Sequence, residues 1–456
     1  MGVARDAGHG GARRDGGAAV AETLAANGVD TAFGTPGHPL VGHLLAAGLS
    51  VVGLPDDDAA ERAAVAYARV SGRPGVVASV DGPAGAGSHS LLFLTAHGGG
   101  TVRTADAAVD TVAGALTAMH RGRPRAVQVD VPPEVLDQDW SGSPRWVTPA
   151  APLVADADGI RRAAELLEAA ERPLVIAGGG AVDASDEITA LIQALGSPVA
   201  TTAGGKGVVD DGHPLSAGAS GRFRAVAEAA ADSDVVLVVG SGFTCPDGVA
   251  AIRIDVDEDR LPHNGSGVGL LGDATATVAA LRGALPPWRT AIGVVRAAAL
   301  RAACREQARA DGRAFELVND VLRDALPPHG VLVGGSTPVT RLGSVHFFPV
   351  PAPRLFCPGG VPAAIGASVA RPARPVAVLL GTGAFAAAAE ELAAAVELGL
   401  ALPVVVVRDG SDDGPAVGRS PLDVGALEVR ADEPDDLVDL VADAFEADRP
   451  TVIRLG

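Results

Sequence analysis

The chain has 456 residues, enough for about three domains, and 48% of them are apolar, so sizeable cores are available. A formal net charge of −19 argues against nucleic acid and anionic membranes as partners, since such a surface repels both. The three cysteines, Cys245, Cys304 and Cys357, lack metal-type spacing and predict no disulfide framework, which points to a reducing cytoplasm. In chain order, MGVARDAGHGGARRDGG has no apolar stretch of the kind a signal peptide needs, and residues 1–16 read as a disordered tail. No later apolar run reaches membrane-spanning length.

From residue 17 to 139 helices alternate with short Val-rich strands: helix AAVAETLAANGV, strand and turn DTAFGTPG, helix DDDAAERAAVAYARVSG, strand GVVASVDGPAGAG, helix DAAVDTVAGALTAM and strand RAVQVDVP. The stretch 140–155 is Pro- and Ser-containing and reads as a linker. A second unit, 156–285, carries helix GIRRAAELLEAAE and strands PLVIAGGGAV, SPVATTA, DVVLVVG and AIRIDVD, a Rossmann-like pattern. Residues 286–290 form a second linker, and 291–456 a third unit. In that third unit a Gly-rich turn, a helix and the strand Val376–Leu380 lead to the tight turn Gly381-Thr382-Gly383. A long helix and the strand Val404–Val407 follow. Strand, glycine turn, helix, strand is the layout of a nucleotide or diphosphate site. The expected fold is α/β throughout, three domains each with a mostly parallel sheet flanked by helices.

These residues carry a family likeness. GVDTAFGTPGHPL and AYARVSGRPGVVASVDGPAGAGS in the first unit resemble thiamine-diphosphate (ThDP) enzymes of the acetolactate synthase and benzoylformate decarboxylase group. So do RPLVIAGGGAV, GGKGVVDDGHPL and IRIDVDEDR in the second unit, and PAAIGASVARPARPVAVLLGTGAF in the third. The resemblance implies a pyrimidine-binding, a middle and a diphosphate-binding domain. It also implies a homodimer or homotetramer with ThDP between subunits, and a 2-oxo acid as substrate for decarboxylation or C–C bond formation. Some relatives bind FAD in the middle domain; nothing in these residues calls for it.

The departures from the pattern are local. The family's activating Glu, ten residues before the Tyr of its GYAR motif, corresponds here to Asp57, one methylene shorter; Glu61 lies one helical turn away. Asp57 is equally readable as one of three acids complementing a helix dipole. His38 and His97 fall where the resemblance places the cavity and suit proton transfer, or are structural loop residues. Asp81 stands where benzoylformate decarboxylase-like sequences place a His. The family holds Mg²⁺ with a Gly-Asp-Gly turn and an Asn after the next strand, and here those positions are Thr382 and Arg408. A guanidinium about 4 Å from a cation repels it by roughly 4 kcal/mol per unit charge at an effective dielectric near 20. No protein metal site is therefore expected. Gly82, Gly381, Thr382, Gly383, Arg408 and Gly410 remain the candidates for holding the cofactor, with Arg408 either gripping phosphate in place of the metal or standing as a solvated or salt-bridged surface arginine, and Gly381-Thr382-Gly383 either an anion site or a plain turn in a pocket that has been lost. The segments after GPAGAG, after Arg408 and between Ser336 and Cys357 are shorter than the family pattern. A non-catalytic scaffold or partner subunit, or an enzyme using the cavity without ThDP, therefore stays open as an alternative.

Overall fold

A computed structural model describes residues 14–83, 90–97, 101–119, 122–148, 151–262, 267–286, 292–386, 388–410 and 420–456. The expected tail up to residue 13 and residues 287–290 of the second linker lie outside these. The chain forms two compact units, one of residues up to Ala150 with His329–Thr337 and Cys357–Gly456, the other of Ala151–Pro328 with Pro338–Phe356.

The first unit holds two sheets. One is built from β1 (Thr31–Gly34), β2 (Ser50–Gly53), β3 (Gly75–Ala78), β4 (Leu91–Thr95) and β5 (Ala126–Asp130) in the order β2-β1-β3-β4-β5. Helices α1 (Gly16–Ala26), α2 (Val41–Ala46), α3 (Asp57–Ser71), α4 (Ala105–Met119) and α5 (Pro133–Leu136) flank it. All its pairings are parallel. Helix α1 starts within the segment expected as tail, because the Asp15 carboxylate caps it by accepting from Ala18 N at 3.0 Å. Helix α3 is capped in the same way by Asp56, carries Asp57 and Asp58 in its first turn, and stops at Gly72 in the left-handed region.

The second unit holds β6 (Pro173–Ala177), β7 (Val199–Thr201), β8 (Ser216–Ala219), β9 (Val235–Val239), β10 (Ala250–Asp255) and β11 (Gly267–Leu271), all parallel, in the order β11-β10-β9-β6-β7-β8. Its helices are α6 (Ala157–Ala169), α7 (Ser185–Leu195), α8 (Arg224–Ala231), α9 (Ala274–Ala284), α10 (Ile292–Gly312), α11 (Glu316–Ala325) and α12 (Val345–Phe347). Helices α10 to α12, assigned by sequence to the third domain, cluster with this unit. Leu300, Cys304, Ala308 and Phe347 complete one apolar face of its sheet with Leu174, Ile176, Val236 and Val238. The buried Asp211 carboxylate holds the stretch after α12 by accepting Val350 N at 3.0 Å while pairing with Lys206 at 2.8 Å.

Back in the first unit, the third sheet contains β12 (Val331–Gly334), β13 (Phe356–Pro358), β14 (Val376–Gly381), β15 (Pro403–Val407), β16 (Leu427–Ala431) and β17 (Thr451–Leu455), in the order β13-β12-β14-β15-β17-β16. Its helices are α13 (Gly360–Ala370), α14 (Thr382–Ala386), α15 (Ala389–Glu397) and α16 (Leu437–Phe445). β14 and β15 are buried along their whole length, as expected of parallel strands covered on both faces. Helix α13 crosses α3 so closely that a Cβ at Gly366 would lie 2.0 Å from the Ala63 carbonyl oxygen. Only a backbone without side chain fits there.

Candidate active site

The carboxyl ends of the first sheet's strands form a polar rim, the usual place for ligands in open parallel sheets. Asp57, half-buried at the start of α3, reaches two of these loops. Its Oδ2 accepts the N–H groups of Val80 at 2.7 Å and Asp81 at 3.1 Å, and its Oδ1 faces the Thr35 hydroxyl at 3.4 Å. A carboxylate serving only the helix dipole would need none of these bonds. Asp57, rather than Glu61 a turn further on, makes these contacts.

His38 is 6% exposed. Its Nδ1 accepts from Leu40 N at 3.3 Å, so the neutral ring carries its proton on Nε2, which is buried without a hydrogen-bond partner. Burial holds this imidazole below the ordinary histidine range, against the opposing pull of the Asp57 carboxylate and the Ser79 carbonyl; His97 adds to the lowering. The three acid–base candidates thus share one neighbourhood. His97 is the accessible member, with its side chain 49% exposed. Asp130, at the end of β5, orients it: Oδ1 accepts His97 N at 2.8 Å and Thr95 Oγ1 at 3.0 Å, and lies 3.7 Å from His97 Nδ1. Asp130 was not singled out from sequence, although a carboxylate closing the strand AVQVD at its carboxyl end was the available signal. Gly82 has φ +76°, and a Cβ there would come within 2.9 Å of the Gln128 amide.

The third sheet presents the other candidates. β14 and β15 are neighbours with Gly381 opposite Val407, so the Gly-Thr-Gly turn and residues 408–410 leave the same edge side by side. Gly381 N donates to Thr337 Oγ1 at 3.3 Å. The Thr382 hydroxyl is buried without a hydrogen-bond partner, a condition costing about 1–3 kcal/mol. Gly383 follows in α14. Arg408 is exposed, and Gly410, at φ +74°, is exposed with open space around it. The residue that turns in is Asp409, 8% exposed, its carboxylate lying against Gly381. Arg62 links α3 to this part of the unit: it pairs with Glu391 at 2.7 Å and Asp58 at 2.8 Å and donates to Gly359 O at 3.3 Å. Burial raises the Glu391 carboxyl above its ordinary range, with Arg62 pulling the other way.

Three domains described for thiamine pyrophosphate enzymes match the chain in order: the N-terminal TPP binding domain at residues 14–97, the central domain at 160–281 and the C-terminal TPP binding domain at 358–412. A "probable 2-ketoarginine decarboxylase" of Pseudomonas aeruginosa is 33% identical, over 91% of this chain and 84% of its own length. The chain belongs to the thiamine-diphosphate-dependent enzymes. A "probable acetolactate synthase large subunit" of Methanocaldococcus jannaschii is 26% identical over 85% of this chain and 78% of that protein. A solved structure from Mycobacterium smegmatis, described as a thiamin diphosphate-dependent enzyme, superposes with TM-score 0.79 at 20% identity over 97% of this chain and 99% of that one; this likeness bears on the fold.

The family's cofactor calls for a carboxyl group at the aminopyrimidine and hard oxygens near the diphosphate. Asp57 offers such a carboxyl group, held by Val80, Asp81 and Thr35. For the second, no three His, Cys, Asp or Glu side chains gather as a metal cluster among the described residues. A Mg²⁺ ion shared with phosphates asks less of the protein, one or two carboxylates, and the Asp409 carboxylate against Gly381, with the unbonded Thr382 hydroxyl next along the turn, fits that requirement. Among the described residues no helix is long and apolar enough to cross a membrane.

Proposed function

We propose that this protein is a ThDP-dependent lyase or carboligase that cleaves or forms the bond next to the keto group of a 2-oxo acid. The observation that carries the reading is Asp57, a carboxylate fixed by two backbone N–H groups at the rim of the first sheet, in the field of His38 and near the His97–Asp130 pair. When bound, the cofactor supplies a nucleophilic carbon and an electron sink. The chain's own groups do the rest. Asp57 holds or releases the proton that activates the pyrimidine. Neutral His38 offers its Nε2–H to a substrate oxygen when the loop after β1 admits one. His97, exposed and held by Asp130, moves a proton to or from the reacting carbon or oxygen. Gly381, Thr382 and Gly383 receive the diphosphate, with Gly82 giving close backbone approach on the first sheet's side.

The relative named for 2-ketoarginine, together with the carboxylates of Asp57, Asp81 and Asp130 on one rim, favours a 2-oxo acid with a cationic tail. The working form is a cytoplasmic homodimer or homotetramer with the cofactor between subunits. Calorimetric titration with ThDP and Mg²⁺ tests the cofactor; CO₂ release from 2-ketoarginine, pyruvate and benzoylformate tests the substrate class. Flat heats at millimolar ThDP would sink this reading and favour the cofactor-free alternative. Light scattering that finds only monomer with ThDP bound would sink the inter-subunit site.

A further inference from the structure

We infer that the amino-end edge of the first sheet carries a binding site for a small aromatic carboxylate, with the Trp146 indole and the Arg73 guanidinium as its two recognition groups. The site uses no part of the proposed catalytic rim: it adjoins Tyr67 and Gly72 at the far end of α3, whereas Asp57 begins that helix.

A cavity of about 390 Å³ opens where the chain enters β1 and β3 and where it passes at residues 146–147. Small-molecule sites run from roughly 300 to 1,000 Å³, so this one suits a ligand of one or two rings. Val29, Pro74, Leu116 and Val147 give it an apolar wall. Two features make it a built site rather than a gap in packing. The first is Trp146, which lines the cavity yet is 68% exposed. An indole left in water forgoes its hydrophobic stabilisation, and here its neighbours hold it there. The Asn27 amide donates to Arg145 O at 2.8 Å and accepts Val147 N at 2.7 Å, gripping the backbone on both sides of the tryptophan. Arg145 is tied in turn to Asp110 at 2.6 Å. The second feature is charge. Among the described residues Arg73 is the only charged one lining the cavity. Its guanidinium is fixed: Nη1 pairs with Asp30, and the group lies over the Tyr67 ring, 5.3 Å from the centroid. Asp30 is held by the Tyr67 hydroxyl at 2.7 Å and the Thr31 hydroxyl at 2.9 Å, and does not itself line the cavity. The other guanidinium N–H groups of Arg73 make no hydrogen bond among the described residues. The cavity therefore meets a clamped indole and an oriented cation with spare donors. A flat ring stacks on the indole, and a carboxylate takes the paired N–H groups of the guanidinium. A cationic ligand is repelled by Arg73, and an uncharged ring covers its donors without bonding them.

The test titrates the full chain in its native assembly with phenylacetate, benzyl alcohol and benzylamine, read by saturation-transfer NMR and tryptophan fluorescence. Wild type is expected to bind phenylacetate at millimolar concentration or below, the range open to so small a ligand. The alcohol and the amine should bind about tenfold more weakly or worse, the cost of losing a charge-assisted bond to Arg73. Trp146→Ala should weaken phenylacetate about tenfold with Tm unchanged, since the side chain it removes is exposed. Arg73→Gln should bring phenylacetate level with benzyl alcohol. Should Arg73→Gln prove unstable, Trp146→Ala decides alone. Asp57→Asn should bind phenylacetate as wild type does, because the cavity lies away from the catalytic rim. No phenylacetate signal in wild type, equal binding of the three probes, or wild-type affinity in Trp146→Ala would overturn the site. Loss of phenylacetate binding in Asp57→Asn would overturn it too, by placing the probe on the rim. Light scattering in which Trp146→Ala splits a larger assembly would show a second copy of the chain covering the cavity, and would equally overturn the small-ligand site. None of these outcomes touches the ThDP reading, which has its own titration.

Discussion

The two ligand edges of the first unit differ in what they leave unbonded. At the edge of the first sheet the chain satisfies its own charges: Asp57 takes two backbone N–H groups, and Asp130 takes a backbone N–H and a hydroxyl while facing His97. At the edge of the third sheet the Asp409 carboxylate arrives from the neighbouring strand and presses on Gly381, while the buried Thr382 hydroxyl, next along the turn, stays unbonded. The first edge is pre-organised before any ligand arrives, which suits proton transfer. The second keeps one buried hydroxyl unbonded, a feature that suits ligand capture. The acidic group of each edge is therefore expected to fail differently when altered.

The largest effect should come from Asp57→Asn. The amide keeps an oxygen for Val80 and Asp81, so Tm should barely change, while kcat falls by about 10²–10⁴-fold, the range for losing a positioned acid–base group. A large loss of Tm would mean that Asp57 is a structural tie. Next comes Gly381→Ala, which must displace the Asp409 carboxylate or the strand. A loss of about 3 kcal/mol in denaturant unfolding is expected, at the top of the range for overpacking. Its counterpart on the first edge, Gly82→Ala, meets only the flexible end of Gln128 and a left-handed backbone, so about 1–2 kcal/mol is expected. Equal losses at 381 and 82 would erase the proposed difference between the edges.

The second unit offers a reference between these two in size. His346 bonds the Ala219 carbonyl through Nδ1 at 2.9 Å and accepts from Arg222 Nε at 3.2 Å. Burial, then the Arg222 charge, push it from the ordinary 6.5 down to about 4. Its native pKa lies below the unfolded one, so its contribution is fully present above about 6.5 and is lost as pH falls towards 4. Unfolding free energy of the second unit should drop by roughly 2–3 kcal/mol across that window, and His346→Gln should flatten the drop. An unchanged slope in His346→Gln would assign the loss elsewhere. The smallest effect belongs to Asp130→Asn, which leaves His97 in place but loosens its orientation. About a tenfold fall in kcat with ThDP affinity unchanged is expected, against the far larger effect at Asp57.

Much of this was legible in the residues. The three α/β layer sets, the cap of α3 by the Asp cluster before AERAAVAYARVSG, and the turn Gly381-Thr382-Gly383 after a continuous apolar strand are local signals that tertiary structure has little freedom to override. The position of Asp57 followed from its count to Tyr67. Asp409 and Asp130 were missed for a common reason: each acts across a strand boundary, where usefulness depends on what the neighbouring strand brings alongside. Family position at the end of β15 points to Arg408, the more conspicuous charge, yet it is the next residue that turns inward. The placement of α10 to α12 was missed because their apolar faces match any sheet lacking a cover, and only the packed core shows which sheet that is.

The chain by itself therefore determined its elements, its order of parallel layers and its kinship, because periodicity, capping and glycine turns are set within a few residues of one another. Tertiary structure alone decided which carboxylates face which loops. Register and strand neighbourhood place side chains to within the two or three ångströms that separate a ligand from a bystander, and neither quantity is written in any one segment.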